Sequence, residues 1–120
     1  MCHVKLGLSA LCVVSLVAGA TLAGQAPEPQ GNAENGRRLF TASYCYACHG
    51  TVGQGTTAGA RLAPRPIAFA AFERYLRQPR GQMPPYTSKV LSDRDLADIY
   101  AFLRSIPAST PATGIPLLNQ

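Results

Sequence analysis

Cysteine is scarce in this chain. There are four in 120 residues, at Cys2, Cys12, Cys45 and Cys48. The first two sit in an apolar opening stretch that is expected to be removed. The remaining pair is too small for a disulfide framework or for the four ligands of a structural zinc site. A disulfide within the pair would close a very short, strained loop. Acidic residues are also few: from Gly24 onward ten Arg and Lys face six Asp and Glu, a net of +4. These basic residues are scattered, which argues against nucleic-acid binding. No stretch shows a convincing strand pattern, so the strand–helix alternation around a thioredoxin-like redox pair is missing. No catalytic triad, paired carboxylates or substrate-pocket signature is present, and the chain by itself is not expected to be an enzyme.

What is present centres on Cys45-Tyr46-Ala47-Cys48-His49, which reads as a c-type haem attachment site. Two cysteines separated by two residues lie about one helical turn apart. Both sulfurs can then face one side and form thioether bonds to the two vinyl groups of one porphyrin. The histidine directly after the second cysteine falls under the metal, where an imidazole nitrogen can bind iron. Tyr46 and Ala47 are spacers.

The opening residues support this reading. Lys5 precedes an apolar run from Leu6 to about Ala23 that ends in small residues, the pattern of an export signal over residues 1–23. Cleavage is expected after Ala20 or Ala23. An uncleaved membrane anchor is the competing reading, because the run is near the minimum span of a bilayer. Leu11 occupies the place before Cys12 where a lipoprotein signal wants a small residue, so no lipid anchor is expected. Covalent haem attachment takes place outside the cytoplasm, so the signal and the motif agree, and a periplasmic location is expected. With cleavage, no stable membrane insertion is expected. The mature part is small enough to bury only a modest core, and a haem would supply apolar surface for that core.

Residues 24–31 read as a linker rich in Pro and Gln. A helix is expected from Asn32, an N-cap, through Gly36, Leu39 and Phe40 towards Tyr44, with Gly36 allowing close contact with another helix. Residues 50–66 read as a loop; one this long is expected to wrap something. Haem is the obvious object, and Leu62 a contact with it. A second helix is expected over Pro66–Gln78, with Phe69, Phe72 and Leu76 on one face. Gly81–Tyr86 is then stiffened by two prolines. It holds Met83, the one methionine besides the initiator, whose thioether suits the open side of the iron. The last helix has a capping-box pattern at Ser92 and Asp95 and an apolar stripe of Leu96, Ile99, Tyr100 and Leu103, and closes at Pro107. Tyr100 is expected near Gly36 and Phe40. Residues 107–120 are a proline-containing tail left without assignment.

Taken together, these residues resemble class I cytochrome c of the small bacterial single-haem type, over Asn32–Ile106. Gly36 and Phe40 look like the family's contact residues in its first helix, and Tyr100 like their aromatic partner in the last. The family usually has Gly-Pro-X-Leu between the motif and the methionine, and the carbonyl of that proline accepts a hydrogen bond from the ligand histidine. Here Gly59-Ala60-Arg61-Leu62 stands instead; Ala60 still offers a carbonyl, without proline's rigidity. The resemblance implies an all-α cytochrome c fold in a domain spanning 32–106, three main helices and loops wrapped around one covalent haem c. It also implies attachment through Cys45 and Cys48 and axial ligation by His49 and Met83. The implied function is periplasmic one-electron transfer to redox partner proteins, whose docking face is expected to be acidic given the basic charge. Two alternatives stay open. One is an electron-transfer subunit of a periplasmic dehydrogenase or oxidase complex. The other is a haem protein binding a gas or small ligand, against which Met83 argues. Arg61, Arg77, Arg80 and Lys89 are candidates for docking or propionate binding, with structural ion pairing as the bland alternative.

Overall fold

The computed structural model describes residues 28–118. The expected export signal at 1–23, its cleavage site and the anchor alternative lie outside the described residues. Within them are four α-helices: α1 (Ala33–Ala42), α2 (Cys45–His49), α3 (Phe69–Arg77) and α4 (Asp93–Ser105). Two short 3-10 turns, Ala112–Gly114 and Pro116–Leu118, follow in the tail. No strand occurs among the described residues, and none of their helices is long and apolar enough to cross a membrane.

The helix count corrects the expectation of three. The break comes at Ser43 and Tyr44, where the α1 helix was expected to continue. Tyr44 has φ +59°, in the left-handed region, and a left-handed residue ends one helix and redirects the chain. The cysteine–histidine motif therefore winds into a helix of its own. At its other end α1 starts as anticipated: the Asn35 N–H donates to the Asn32 side chain at 2.9 Å.

α4 is the spine of the domain. Its capping box is complete, since the Asp95 N–H donates to Ser92 Oγ at 3.1 Å and the Ser92 N–H donates to Asp95 Oδ2 at 2.9 Å. Its buried residues, Leu96–Tyr100 with Phe102 and Leu103, wrap around more than one face of the helix. One face meets α1, where a Cβ at Gly36 would collide with the Asp98 carbonyl. Glycine is required at that crossing because the two backbones touch. Phe40 then packs on Phe102, with ring centroids 5.5 Å apart.

Tyr100 instead points at α3, 5.2 Å from Phe69 edge-on and 5.3 Å from Phe72. The expected Phe40–Tyr100 pairing is thus replaced by Phe40–Phe102. At about 100° per residue, two positions along α4 put Tyr100 and Phe102 on nearly opposite sides. α3 itself begins at Phe69, later than expected, because Ala68 is still extended (φ −50°, ψ 141°) and Pro66 belongs to the approach. The end of the expected linker lies along α4. The Tyr100 hydroxyl donates to Glu28 at 3.0 Å, and Arg104 pairs with the same carboxylate.

Candidate haem site

α2 places Cys45 and Cys48 three residues apart on a helix, so the two sulfurs lie on one side of it. Both are free thiols. Cys48 is exposed, whereas Cys45 is half-buried against the core. Burial pushes the Cys45 thiol up from its ordinary value, although its own backbone N–H and the Tyr86 hydroxyl act the other way.

His49 closes α2. Its Nδ1 lies 2.7 Å from the Ala60 carbonyl oxygen. A carbonyl only accepts, so the proton sits on Nδ1 and donates to it, leaving the Nε2 lone pair free for a metal. The alanine standing in the family's proline position therefore keeps the contact. Without proline, the loop is held in place by hydrogen bonds to the motif helix. The Gly55 N–H donates to the His49 carbonyl at 2.8 Å, and the Thr56 hydroxyl donates to the Cys48 carbonyl. The N–H groups of Leu62 and Ala63 both donate to the Gly53 carbonyl, at 2.8 and 2.9 Å. A Cβ at Gly59 would come within 2.6 Å of the Cys48 carbonyl oxygen, so only glycine lets the loop lie this close to α2.

Leu62 and Met83 are each half-buried and pack against the same buried core as Cys45, Phe69 and Tyr86. Three separate stretches, α2, the 50–66 loop and the Met-Pro segment, thus contribute apolar side chains to one core. Two residues of this region make contacts that the sequence did not signal. The Tyr86 hydroxyl donates to the Ser43 carbonyl at 2.9 Å; its own ionisation is pushed up by burial first and by the neighbouring Cys45 second. The Arg77 guanidinium donates to the carbonyls of Tyr86 (2.9 Å) and Leu91 (2.7 Å) and pairs with Asp93. Arg77, one of four candidates for docking or propionate binding, is thereby a structural tie; Arg61, Arg80 and Lys89 are exposed. A third residue, Asp98, is buried between α1 and α4. It accepts from the Asn32 N–H and from Asn35 Nδ2, both at 2.7 Å. Burial alone would raise its pKa, but these two donors and Arg94 outweigh burial and hold the carboxyl below its ordinary value.

The donor set suits a covalently held haem: two free thiols one turn apart, an imidazole with a fixed tautomer, a thioether, and apolar side chains for the macrocycle. Zinc is not suited, since no three His, Cys, Asp or Glu side chains gather among the described residues. Fold and sequence together define a small all-α c-type cytochrome domain. A family model described as cytochrome c oxidase, cbb3-type, subunit III, matches residues 31–103, and the chain belongs to that family. It is also 25% identical over 117 residues to cytochrome c-555 of Methylococcus capsulatus (strain Bath), an alignment covering 95% of each chain. No solved structure matches it.

Proposed function

We propose that this chain is a haem-bearing electron-transfer subunit serving a redox complex of the oxidase type, and that it works on the exported side of the membrane. Family membership supports the subunit reading, and the apolar opening run with its small-residue end supports export. The observation that carries the site is the 2.7 Å contact between His49 Nδ1 and the Ala60 carbonyl, which presents Nε2 as a ligand from the attachment helix itself.

When bound, the haem supplies an iron centre that gains or gives up one electron. Cys45 and Cys48 hold the cofactor by thioether bonds, so it stays with the protein in either oxidation state. The Ala60 carbonyl holds the His49 ring in one orientation and makes its free nitrogen a better donor. Met83 offers its thioether from a segment stiffened by Pro84 and Pro85. Histidine–methionine ligation favours the reduced state and a high potential. Leu62 and Phe69 exclude water, which acts in the same direction.

A free carrier is the second reading, favoured by the end-to-end match with a cytochrome of nearly equal length. Optical spectra of the matured protein, oxidised and reduced, with and without cyanide, test the site. A low-spin spectrum with a weak far-red sulfur-to-iron band and slow cyanide binding is expected; a high-spin spectrum with rapid binding refutes it. Mild solubilisation of native membranes, followed by haem staining of the size-separated fractions, tests the subunit reading. Haem eluting only at the size of the single chain favours the free carrier.

A further inference from the structure

Among the described residues, the hydrogen bonds that tie Gly81–Tyr86 to the rest of the molecule run through Tyr86. The Tyr86 N–H donates to the Leu76 carbonyl at 2.9 Å, and the Tyr86 carbonyl accepts from Arg77 at 2.9 Å. Both ties lead to α3. The hydroxyl goes elsewhere, crossing forty-three residues of sequence to donate to the Ser43 carbonyl at 2.9 Å. Ser43 caps the C-terminus of α1, where carbonyls have no partner within the helix. The next residue is Tyr44, the one non-glycine with positive φ among the described residues, and it turns the chain into the helix of Cys45, Cys48 and His49. The hydroxyl of Tyr86 therefore ends on the turn that aims the motif.

We propose that Tyr86 is a positioning residue whose hydroxyl, by donating to the Ser43 carbonyl, couples the Met83 segment to the turn that orients the attachment helix. The elements on the two sides of the haem then open and close as one unit. A phenylalanine would fill the same space and remove the short hydroxyl donor to the Ser43 carbonyl, whose other contact is the distant Cys45 Sγ at 4.0 Å, so the function resides in one oxygen atom. It rests on the reading of His49 and Met83 as axial ligands.

The haem-loaded wild type, Tyr86→Phe and Tyr75→Phe are compared. Tyr75 is the control because its hydroxyl also donates to the same loop, to the Arg80 carbonyl at 3.3 Å, but makes no link to α2. Tyr86→Phe is expected to keep its covalent haem, to show a weakened far-red band, and to bind cyanide about tenfold faster, the factor set by one net hydrogen bond. Tyr75→Phe is expected to match the wild type. In the wild type, the amides of Ala47 and Tyr86 are expected to exchange through a common opening, a readout that needs no variant to fold. Wild-type cyanide rates in Tyr86→Phe, equal acceleration in Tyr75→Phe, or independent openings of the two amides overturn the coupling. A wild type lacking the far-red band overturns the ligand reading, and the coupling with it.

Discussion

Replacing Asp98 with alanine is expected to cost about 3 kcal/mol of stability, from the loss of two hydrogen bonds to a charged acceptor at about 1.5–3 kcal/mol each, less what Asn35 recovers from water. The carboxylate is 3% exposed and accepts at 2.7 Å from both the Asn32 N–H and Asn35 Nδ2. The backbone N–H at Asn32 belongs to the capping residue of α1 and cannot turn away, whereas the Asn35 side chain can. Arg94 adds little: it stands 3.9 Å away with its side chain 79% exposed, and such pairs contribute about 0–1 kcal/mol. For a domain of this size the loss corresponds to a melting point lower by about 12–24 °C. The assay is denaturant unfolding of the haem-loaded protein, followed by circular dichroism, with Arg94→Ala as control at under about 0.5 kcal/mol. The pH dependence follows from the same carboxylate. Its folded pKa is lowered, so its stabilisation is fully present above the unfolded carboxylate range, about pH 4. It is lost as pH falls from there through the folded value. The variant is expected to lack that part of the acid sensitivity. An Asp98→Ala protein within about 0.5 kcal/mol of the wild type at pH 7, with unchanged acid unfolding, would refute the reasoning, since two intact charged hydrogen bonds should exceed that figure several-fold.

Other substitutions probe the remaining contacts. Gly36→Ala places a methyl against the Asp98 carbonyl and should cost about 1–3 kcal/mol or more by forcing α1 from α4, read as a lower denaturation midpoint. Met83→Ala should keep covalent haem yet lower the reduction potential and admit cyanide or carbon monoxide, measured by redox titration and ligand-binding spectra. Arg77→Met removes the donors to the Tyr86 and Leu91 carbonyls and should destabilise by about 2–4 kcal/mol, with the buried stem preserved and only the guanidinium lost. Raising ionic strength should slow electron transfer to an acidic partner while leaving the spectrum unchanged, measured by stopped-flow with the isolated partner.

Some of these features were legible from short stretches of sequence. The spacing of Cys45, Cys48 and His49 needs only one turn of helix to specify its chemistry, and the Ser92–Asp95 capping box closes within four residues. The loop over 50–66 was legible from its glycines and prolines, although the bonds that hold it against α2 were not. Aromatic pairing was misjudged: Tyr100 fitted the apolar stripe, while Phe102 fell outside it and takes the Phe40 contact. A one-faced stripe describes a helix with one neighbour, and α4 has two.

The sequence by itself determined the spacing of the cysteine–histidine motif and the caps of α1 and α4, because each depends on residues within a turn or two of one another. Only the tertiary structure decided that Asp98 is a buried acceptor, that Arg77 ties three strands of chain together, and that Tyr86 reaches Ser43. Those contacts join residues from nine to sixty-six positions apart. No local pattern encodes them, since a polar residue on a helix reads as solvent-facing until a second element is packed over it.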